Sequence, residues 1–253
     1  MAEEPRHRPP EPAEPRLMSF WDHLDELRSR LIKTFLFVTG GFLVAWFFVQ
    51  PAQDYLIRVF FPGEGEAPLA YLRPTEGFVV SLKLALTGGL LLAAPAVFYQ
   101  FWTFVAPGLY PNEKRMVLPV VIISSASFLI GVAFSFQVLP YATRFFLGFG
   151  EGPVQNVWSF GSYVDFAVRL MLAFGVIFEL PLLIYFLVRL GVVTPQFLRR
   201  NRRYAIIINL IIAAVITPPD IFTMVVLSVP LLLLYEISII IASVTVRRRA
   251  RQA

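Results

Sequence analysis

Three glutamates are the residues of this sequence best placed to do chemistry: Glu26 near the N-terminus, Glu113 between two long apolar stretches, and Glu179 within a third stretch. Carboxylates held at a membrane surface attract basic groups, because opposite charges interact strongly over a few ångströms there. Glu26 and Glu113 therefore predict a site that binds a basic peptide. A carboxylate inside the bilayer is costly and is a functional candidate by default, which makes Glu179 the third candidate.

Glu113 lies in a segment whose turn residues fix the backbone around it. Pro107 and Gly108 end the helix that precedes them, because proline supplies no N–H donor and glycine accepts a positive φ. Pro111 and Asn112 favour a new helix with Glu113 in its first turn. A second interpretation stays open, in which Glu113 only compensates the partial positive charge of a helix start.

Glu179 stands two residues before Pro181, in the middle of an apolar stretch. A proline at this position removes a backbone hydrogen bond one turn earlier and predicts a kink in the helix. The carboxyl group could satisfy that kink or pair with a neighbouring helix, which would be a structural role. We favour a functional role because a carboxylate is expensive to keep inside a membrane.

The composition identifies an integral membrane protein. Hydrophobic residues make up 57% of the 253 residues and charged residues only 15%, whereas soluble domains contain about 25% charged residues. The apolar stretches have the length of membrane-spanning helices, so we expect an all-α fold in the lipid bilayer. The net charge of +5 then reflects membrane topology and not nucleic-acid binding.

Several classes of chemistry are excluded by what the sequence lacks. It has no cysteine, which rules out disulfides, thiolate catalysis and cysteine-ligated metals, and its two histidines, His7 and His23, both precede the first apolar stretch. It carries no zinc-protease, serine-hydrolase or nucleotide-binding motif. We therefore expect no enzyme, no cofactor and no metal site, and any work must be driven by a partner or an ion gradient.

The chain divides into two tails and one membrane domain. Residues 1–18 contain five prolines among charged residues and predict a disordered cytoplasmic tail, with no apolar core of a signal peptide. Ser19 can cap a helix whose apolar stripe of Phe20, Leu24, Leu27 and Leu31 predicts an amphipathic helix at the membrane interface. Residues 19–246 form the predicted six-helix membrane domain, and residues 247–253 a basic cytoplasmic tail.

Six spans are predicted, at 31–49, 77–105, 116–139, 166–190, 204–216 and 219–246. The fifth has thirteen residues, which reach only about 20 Å across a hydrocarbon core of about 30 Å. Thr217 and Asp220 lie in the hairpin that joins it to the sixth span. Their spacing around two prolines predicts a helix cap, and from the residues alone that structural role is favoured over ligand binding.

Lysine and arginine predict the orientation. With six spans both termini lie on one side, and seventeen of the 22 basic residues fall on that side. The exceptions are Arg58, Arg73, Lys83, Arg144 and Arg169. Because basic residues concentrate in cytoplasmic loops, both termini are predicted to be cytoplasmic.

Four motifs in a fixed order resemble a known family. They are HLDELRSR at 23–30, YQFWTFVAPGLY at 99–110 followed by EKR at 113–115, AFG at 173–175 followed by FELP at 178–181, and TPPD at 217–220. The chain resembles TatC, the multispanning receptor subunit of the twin-arginine protein translocase, over residues 19–246. Each motif alone is weak, but the ordered set is specific.

The resemblance implies a non-enzymatic receptor in the cytoplasmic membrane that binds the Arg-Arg signal peptide of folded cargo. Glu26 and Glu113 would form the recognition site, since an arginine guanidinium donates two parallel hydrogen bonds to a carboxylate and lysine cannot. By the same resemblance Gln100 and Phe104 would flank this site, and Arg28 would hold its charge network. The apolar part of the signal peptide would lie against the first two spans, and the mid-membrane Glu179 in a concave face open to the bilayer.

The family also implies partners. Single-span subunits of the TatA and TatB type would dock on the fifth and sixth spans near Thr217 and Asp220, in a multimeric complex driven by the protonmotive force. Ala214 and Met224 make this surface less polar than in some relatives. Two other classes of function are weighed against this one: a proton-coupled small-solute transporter that uses Glu179, and a purely structural scaffold.

Overall fold

The computed structural model describes residues 20–61, 69–105, 117–148, 157–216 and 221–250. Within these ranges the chain forms nine helices and one two-stranded parallel sheet, which confirms the predicted all-α membrane fold. The elements are α1 (Phe20–Trp46), α2 (Val49–Phe60), β1 (Leu69–Ala70), α3 (Glu76–Val105), α4 (Val117–Gly148), β2 (Trp158–Ser159), α5 (Phe160–Ile177), α6 (Leu180–Arg189), α7 (Pro195–Arg200), α8 (Arg202–Ile216) and α9 (Ile221–Ala250).

The described residues contain five helical segments long and apolar enough to cross a membrane: Trp21–Trp46, Glu76–Val105, Val117–Gly148, Phe160–Arg189 and Leu227–Arg247. The predicted short span is α8, whose 15 residues reach about 22 Å. It is therefore shorter than a hydrocarbon core of about 30 Å, as the sequence indicated. The count of six crossings stays a prediction that includes α8.

The N-terminal part of the fold differs from the sequence prediction. The amphipathic stretch and the first span form one continuous helix, α1, because no helix-breaking proline separates the charged turn from the apolar run. The span predicted at 31–49 ends at Trp46, and α2 occupies residues between the first two predicted spans. Pro51 lies in the first turn of α2, where a proline costs no hydrogen bond.

The predicted fourth span is broken at Glu179. Helix α5 ends at Ile177, the chain makes a turn at Phe178 and Glu179, and α6 begins with Pro181 in its first turn. The kink predicted from Pro181 is therefore confirmed. At the C-terminus, α9 continues to Ala250, so the first residues of the predicted basic tail are helical.

Helix α5 occupies the centre of the bundle. Its residues Val164, Leu170 and Phe174 are at most 2% exposed and pack with Leu139 of α4 and Leu231 of α9. Helix α1 instead packs mainly on α3 and exposes most of its apolar side chains. The helix that carries Glu26 is thus peripheral, and the helices around Glu179 are central.

The Glu76 carboxylate links the start of α3 to the start of α5, at the end of the bundle opposite the start of α1. Glu76 in the first turn of α3 accepts hydrogen bonds from Ser159 Oγ at 2.5 Å, Gly161 N at 2.5 Å and Leu72 N at 2.7 Å. The β1–β2 pairing, with Leu69 opposite Trp158, lies beside it. Together these contacts fix the start of α3 against the start of α5.

Candidate functional site

Helices α1 and α3 form a closely packed antiparallel pair. Gly89 lies so near α1 that a Cβ added to it would come within 2.7 Å of Phe42 Cα, and a Cβ on Gly88 would lie 3.0 Å from that of Ala45. Toward the other end, the rings of His23 and Phe104 stack with centroids 4.4 Å apart. The pair therefore runs in contact from mid-helix to the end at which α3 finishes.

Glu26 lies one turn from His23 along α1, and only one of its two carboxyl oxygens has a hydrogen-bond partner among the described residues. Its Oε1 accepts from Arg30 Nε at 3.0 Å and forms an ion pair with the same guanidinium. The side chains are 21% exposed for Glu26 and 18% for Arg30. The second oxygen, Oε2, is buried and has no hydrogen-bond partner among the residues that the structure describes. One oxygen of Glu26 is thus committed and the other is left for a donor.

Gln100 and Phe104 lie on the face of α3 that meets α1. They are one turn apart, and Gln100 is three turns from Gly89, so all three fall on one stripe of the helix. Gln100 is 8% exposed, although it sits near the end of the bundle. The antiparallel register places it at the level of Glu26. The structure therefore places Glu26, Gln100 and Phe104 at the same end of the α1–α3 pair.

The ion-pair partner of Glu26 is Arg30, a residue that the sequence analysis did not assign to the site. The sequence could have indicated this ion pair, because a glutamate and an arginine four residues apart lie on the same face of a helix. Arg28 is exposed, on a different side of α1. Its role in the charge network stays a prediction.

Three of the predicted site residues, Glu113, Thr217 and Asp220, lie outside the described residues. The segment that carries Glu113 connects the end of α3 to the start of α4. These two helices are joined close to their ends by a hydrogen bond from Trp102 Nε1 to Ser124 Oγ at 2.7 Å. The pairing of Glu113 with Glu26, and the docking role of Thr217 and Asp220, stay predictions.

Glu179 occupies the break between α5 and α6. Its Oε1 is buried and lacks a hydrogen-bond partner within the described part of the chain. The Glu179 carboxyl therefore resembles that of Glu26 in having one buried oxygen without a partner among the described residues.

The Glu179 side chain lines an apolar cavity of about 580 Å³. Helices α3, α4 and α6 form its walls, with Phe98, Phe101, Leu183 and Phe186 among the lining residues. Among the described residues of the lining, Glu179 is the one ionisable side chain. The cavity follows α3 from Leu90 to Val105 and so reaches the end of the helix that carries Phe104.

Two further ion pairs link neighbouring helices at a distance from Glu26 and Glu179. Lys83 Nζ lies 2.5 Å from Asp165 Oδ1, and Arg202 lies 2.7 Å from Glu236. In the five described ranges, no three side chains of histidine, aspartate or glutamate come close enough to hold a metal ion. We assign these pairs to helix packing between α3 and α5 and between α8 and α9.

The chain is similar to proteins of one family over most of its length. The family profile described as "Sec-independent protein translocase protein (TatC)" matches residues 22–230. The protein of that name from Desulforapulum autotrophicum is 46% identical over 227 residues, which cover 89% of this chain and 84% of the relative. The one from Koribacter versatilis is 38% identical over 245 residues, covering 93% and 90%.

A solved structure supports the same relationship. The crystal structure described as "Twin Arginine Translocase Receptor- TatC" matches this fold with a TM-score of 0.79 at 37% sequence identity. The match covers 88% of this chain and 99% of that chain. The arrangement of helices described above is therefore shared with a solved receptor.

Proposed function

Because the chain belongs to the TatC family of Sec-independent protein translocase proteins, we propose that it is the receptor subunit of a twin-arginine translocase and binds the Arg-Arg signal peptide of folded cargo. The family consists of multi-pass membrane proteins that serve as translocase components and are not enzymes. The observation that carries the proposal is the open oxygen of Glu26, at the end of the α1–α3 pair that also carries Gln100 and Phe104.

The chemistry of this site suits a guanidinium group. Arg30 occupies Oε1 of Glu26, so Oε2 remains for an arginine of the peptide. The stacked rings of His23 and Phe104 offer a flat surface on which a planar guanidinium can lie. We propose that Glu113, in the segment that follows Val105, supplies the carboxylate for the second arginine. Two carboxylates would then select two arginines, since lysine cannot make the paired hydrogen bonds.

The orientation of the chain and its partner subunits are proposed on the same basis. With both termini cytoplasmic, as the arginine distribution predicts, the Glu26 site faces the cytoplasm, where signal peptides arrive. The hairpin at Thr217 and Asp220 and helices α8 and α9 would dock subunits of the TatA and TatB type, and the protonmotive force would drive export. The alternative of a small-solute transporter has less support, because the cavity at Glu179 offers a solute one carboxyl group among apolar walls.

The proposal is tested by comparing two neighbouring carboxylates on α1. Glu26→Gln removes the charge at the site, and Asp25→Asn removes the adjacent charge on an exposed face. An Arg-Arg signal peptide should bind Glu26→Gln at least about tenfold more weakly, because a partly buried charge-assisted hydrogen bond is lost. Fluorescence anisotropy with the purified full chain measures this, with photocrosslinking as the second readout.

The control variant Asp25→Asn should bind the peptide as the original chain does. A peptide in which both arginines are replaced by lysine should bind weakly to all three proteins, which tests the preference for the guanidinium geometry. Equal affinities of Glu26→Gln and Asp25→Asn for the Arg-Arg peptide would rule out Glu26 as the recognition carboxylate.

A further inference from the structure

Arginine is concentrated at one end of the three neighbouring helices α7, α8 and α9. These helices contain seven arginines and one acidic residue, Glu236. All seven arginines lie in α7, in the first two residues of α8 or in the last four of α9, and Glu236 forms its ion pair with Arg202. Helix α1 differs, because it carries three carboxylates and three arginine or lysine side chains. The α7–α9 end therefore presents a cationic surface with little internal compensation.

Helix α7 is fixed against α9, which gives Arg199 a defined position. Leu198 is 7% exposed and packs in one cluster with Ile239 of α9. The Tyr235 hydroxyl donates to the Leu198 carbonyl oxygen at 2.9 Å. Arg199 Nη2 donates to Ser243 Oγ of α9 at 3.2 Å, and the other N–H groups of this guanidinium have no hydrogen-bond partner among the described residues. Most donors of Arg199 are thus left for a ligand.

Arg247 lies on the face of α9 that Arg199 contacts. It follows Ser243 by four residues, which is one helical turn. The ion pairs formed by the described residues include neither Arg199 nor Arg247. Two guanidinium groups on one face repel each other when no carboxylate compensates them, and an anion bound there removes this repulsion. A phosphate group suits the position, because it accepts paired hydrogen bonds from a guanidinium.

This face of α9 continues as an exposed apolar surface. Val244 is 45% exposed and Ile240 is 61% exposed, and they precede Arg247 by three and seven residues, so the three lie on one stripe of the helix. Helix α8 has the same pattern, since Arg203 is followed four residues later by the exposed Ile207. Exposed apolar side chains of a membrane helix face acyl chains, while arginine reaches the headgroups. A phospholipid matches both parts of the stripe, whereas a free anion matches only the arginines.

We propose that the α7–α9 end binds an anionic phospholipid, whose phosphate is held by Arg199 and Arg247 and whose acyl chains lie on Val244 and Ile240. The bound lipid compensates the two arginines and holds α7 against α9. With both termini cytoplasmic, as proposed above, the site faces the cytoplasmic leaflet, which is the negatively charged one. Lipid binding here goes beyond the receptor function and is independent of the signal peptide, whose proposed site lies on α1 and α3.

The lipid is identified by native mass spectrometry of the purified full chain, which counts bound lipids as phosphatidylglycerol is added to the detergent. Phosphatidylcholine with the same acyl chains is the control without net charge. Phosphatidylglycerol should bind at least about tenfold more tightly, because each arginine near the headgroup contributes about a factor of five. Equal binding of the two lipids overturns the proposal.

The site is located by substitution of single arginines. Arg199→Gln and Arg247→Gln should each weaken phosphatidylglycerol binding about fivefold. The matched control is Arg200→Gln, since Arg200 is the next residue of α7, is also exposed, and lies on a different face of the helix. Its effect should stay below about twofold, because it removes the same charge at a greater distance from the lipid. Equal losses in Arg199→Gln and Arg200→Gln would indicate attraction by the total charge and would overturn the site.

Two competitors distinguish a lipid from other anions. Glycerol phosphate has the phosphate without acyl chains, and a polyglutamate peptide has negative charge alone, so neither should displace phosphatidylglycerol at equal concentration. Displacement by glycerol phosphate would indicate a phosphate site, displacement by the peptide would indicate a protein-binding surface, and either result overturns the lipid assignment. The Arg-Arg signal peptide should bind all these variants equally in anisotropy measurements, so failure of the lipid site and failure of the receptor function are observed separately.

Discussion

Glu26 and Glu179 are the same residue type in two contrasting settings. Each has one buried oxygen that lacks a hydrogen-bond partner in the described ranges. Arg30 compensates the charge of Glu26, whereas the described residues that line the cavity around Glu179 include no basic side chain. Glu26 lies on a peripheral helix that packs mainly on α3, and Glu179 lies where three elements meet around an apolar cavity.

The contrast separates two uses of a carboxylate in a membrane protein. A glutamate that pairs with an arginine and keeps its second oxygen open suits recognition of a further guanidinium group. A glutamate that lines an apolar cavity is costly to bury, which marks it as a functional candidate. Substitutions at and around the two glutamates test this difference.

The largest effect is expected from Gly89→Leu, which should disturb the Glu26 site and leave the Glu179 site in place. A Cβ at Gly89 already meets the backbone of Phe42, so a leucine must push α1 away from α3. Overpacking of this kind costs about 1–3 kcal/mol or more, and the cost is measured by thermal unfolding in detergent. Binding of the Arg-Arg peptide should fall with it, because Glu26 and Gln100 move apart.

The control is Gly40→Leu on α1, at the residue next to Gly41, which contacts Gly89 of α3. An added Cβ at Gly40 meets no described atom within 4 Å, so the change in unfolding free energy should stay within about 0.5 kcal/mol. Equal losses of stability in both variants would show that the α1–α3 contact is not what positions Glu26.

A smaller effect, with opposite signs at the two sites, is expected when each glutamate is replaced by methionine of similar length. Glu179→Met removes a buried unpaired oxygen and should stabilise the protein by about 1–2 kcal/mol, since an apolar group replaces a polar atom that has no partner among the described residues. Glu26→Met leaves Arg30 without its partner and should destabilise by about 1 kcal/mol, a value reduced because both side chains are partly exposed. Chemical unfolding in detergent measures both.

The signs are the decisive result of the methionine pair. Stabilisation at Glu179 together with lost export activity would mark a residue kept for function at a cost in stability. Destabilisation by Glu179→Met would indicate that the Glu179 carboxyl group serves the fold, and Glu26 and Glu179 would then not differ in the way proposed.

The sequence predicted those features that depend on neighbours along the chain. The break at Pro181, the short α8 and the helical face of Glu26 each follow from local composition and spacing. The hydrogen bond between Trp102 and Ser124 was not predictable, because the residues are 22 positions apart on different helices and no periodic pattern links them. Similarly, α2 was not predicted because a proline usually breaks a helix. Pro51 lies in the first turn of α2, where a proline is tolerated.

The smallest effect separates Arg30 from Arg28, which the family resemblance assigned to the charge network. In Arg30→Gln, both oxygens of Glu26 become available, so the Arg-Arg peptide should bind about two- to fivefold more tightly, a gain well under 1.4 kcal/mol. Binding should also weaken more steeply as salt is raised, because the site gains net negative charge. In Arg28→Gln, whose side chain is exposed, affinity and salt dependence should change little. Anisotropy titrations at several salt concentrations compare the two variants. A larger change in Arg28→Gln than in Arg30→Gln would indicate that Arg28, as the family resemblance implies, belongs to the charge network of the site.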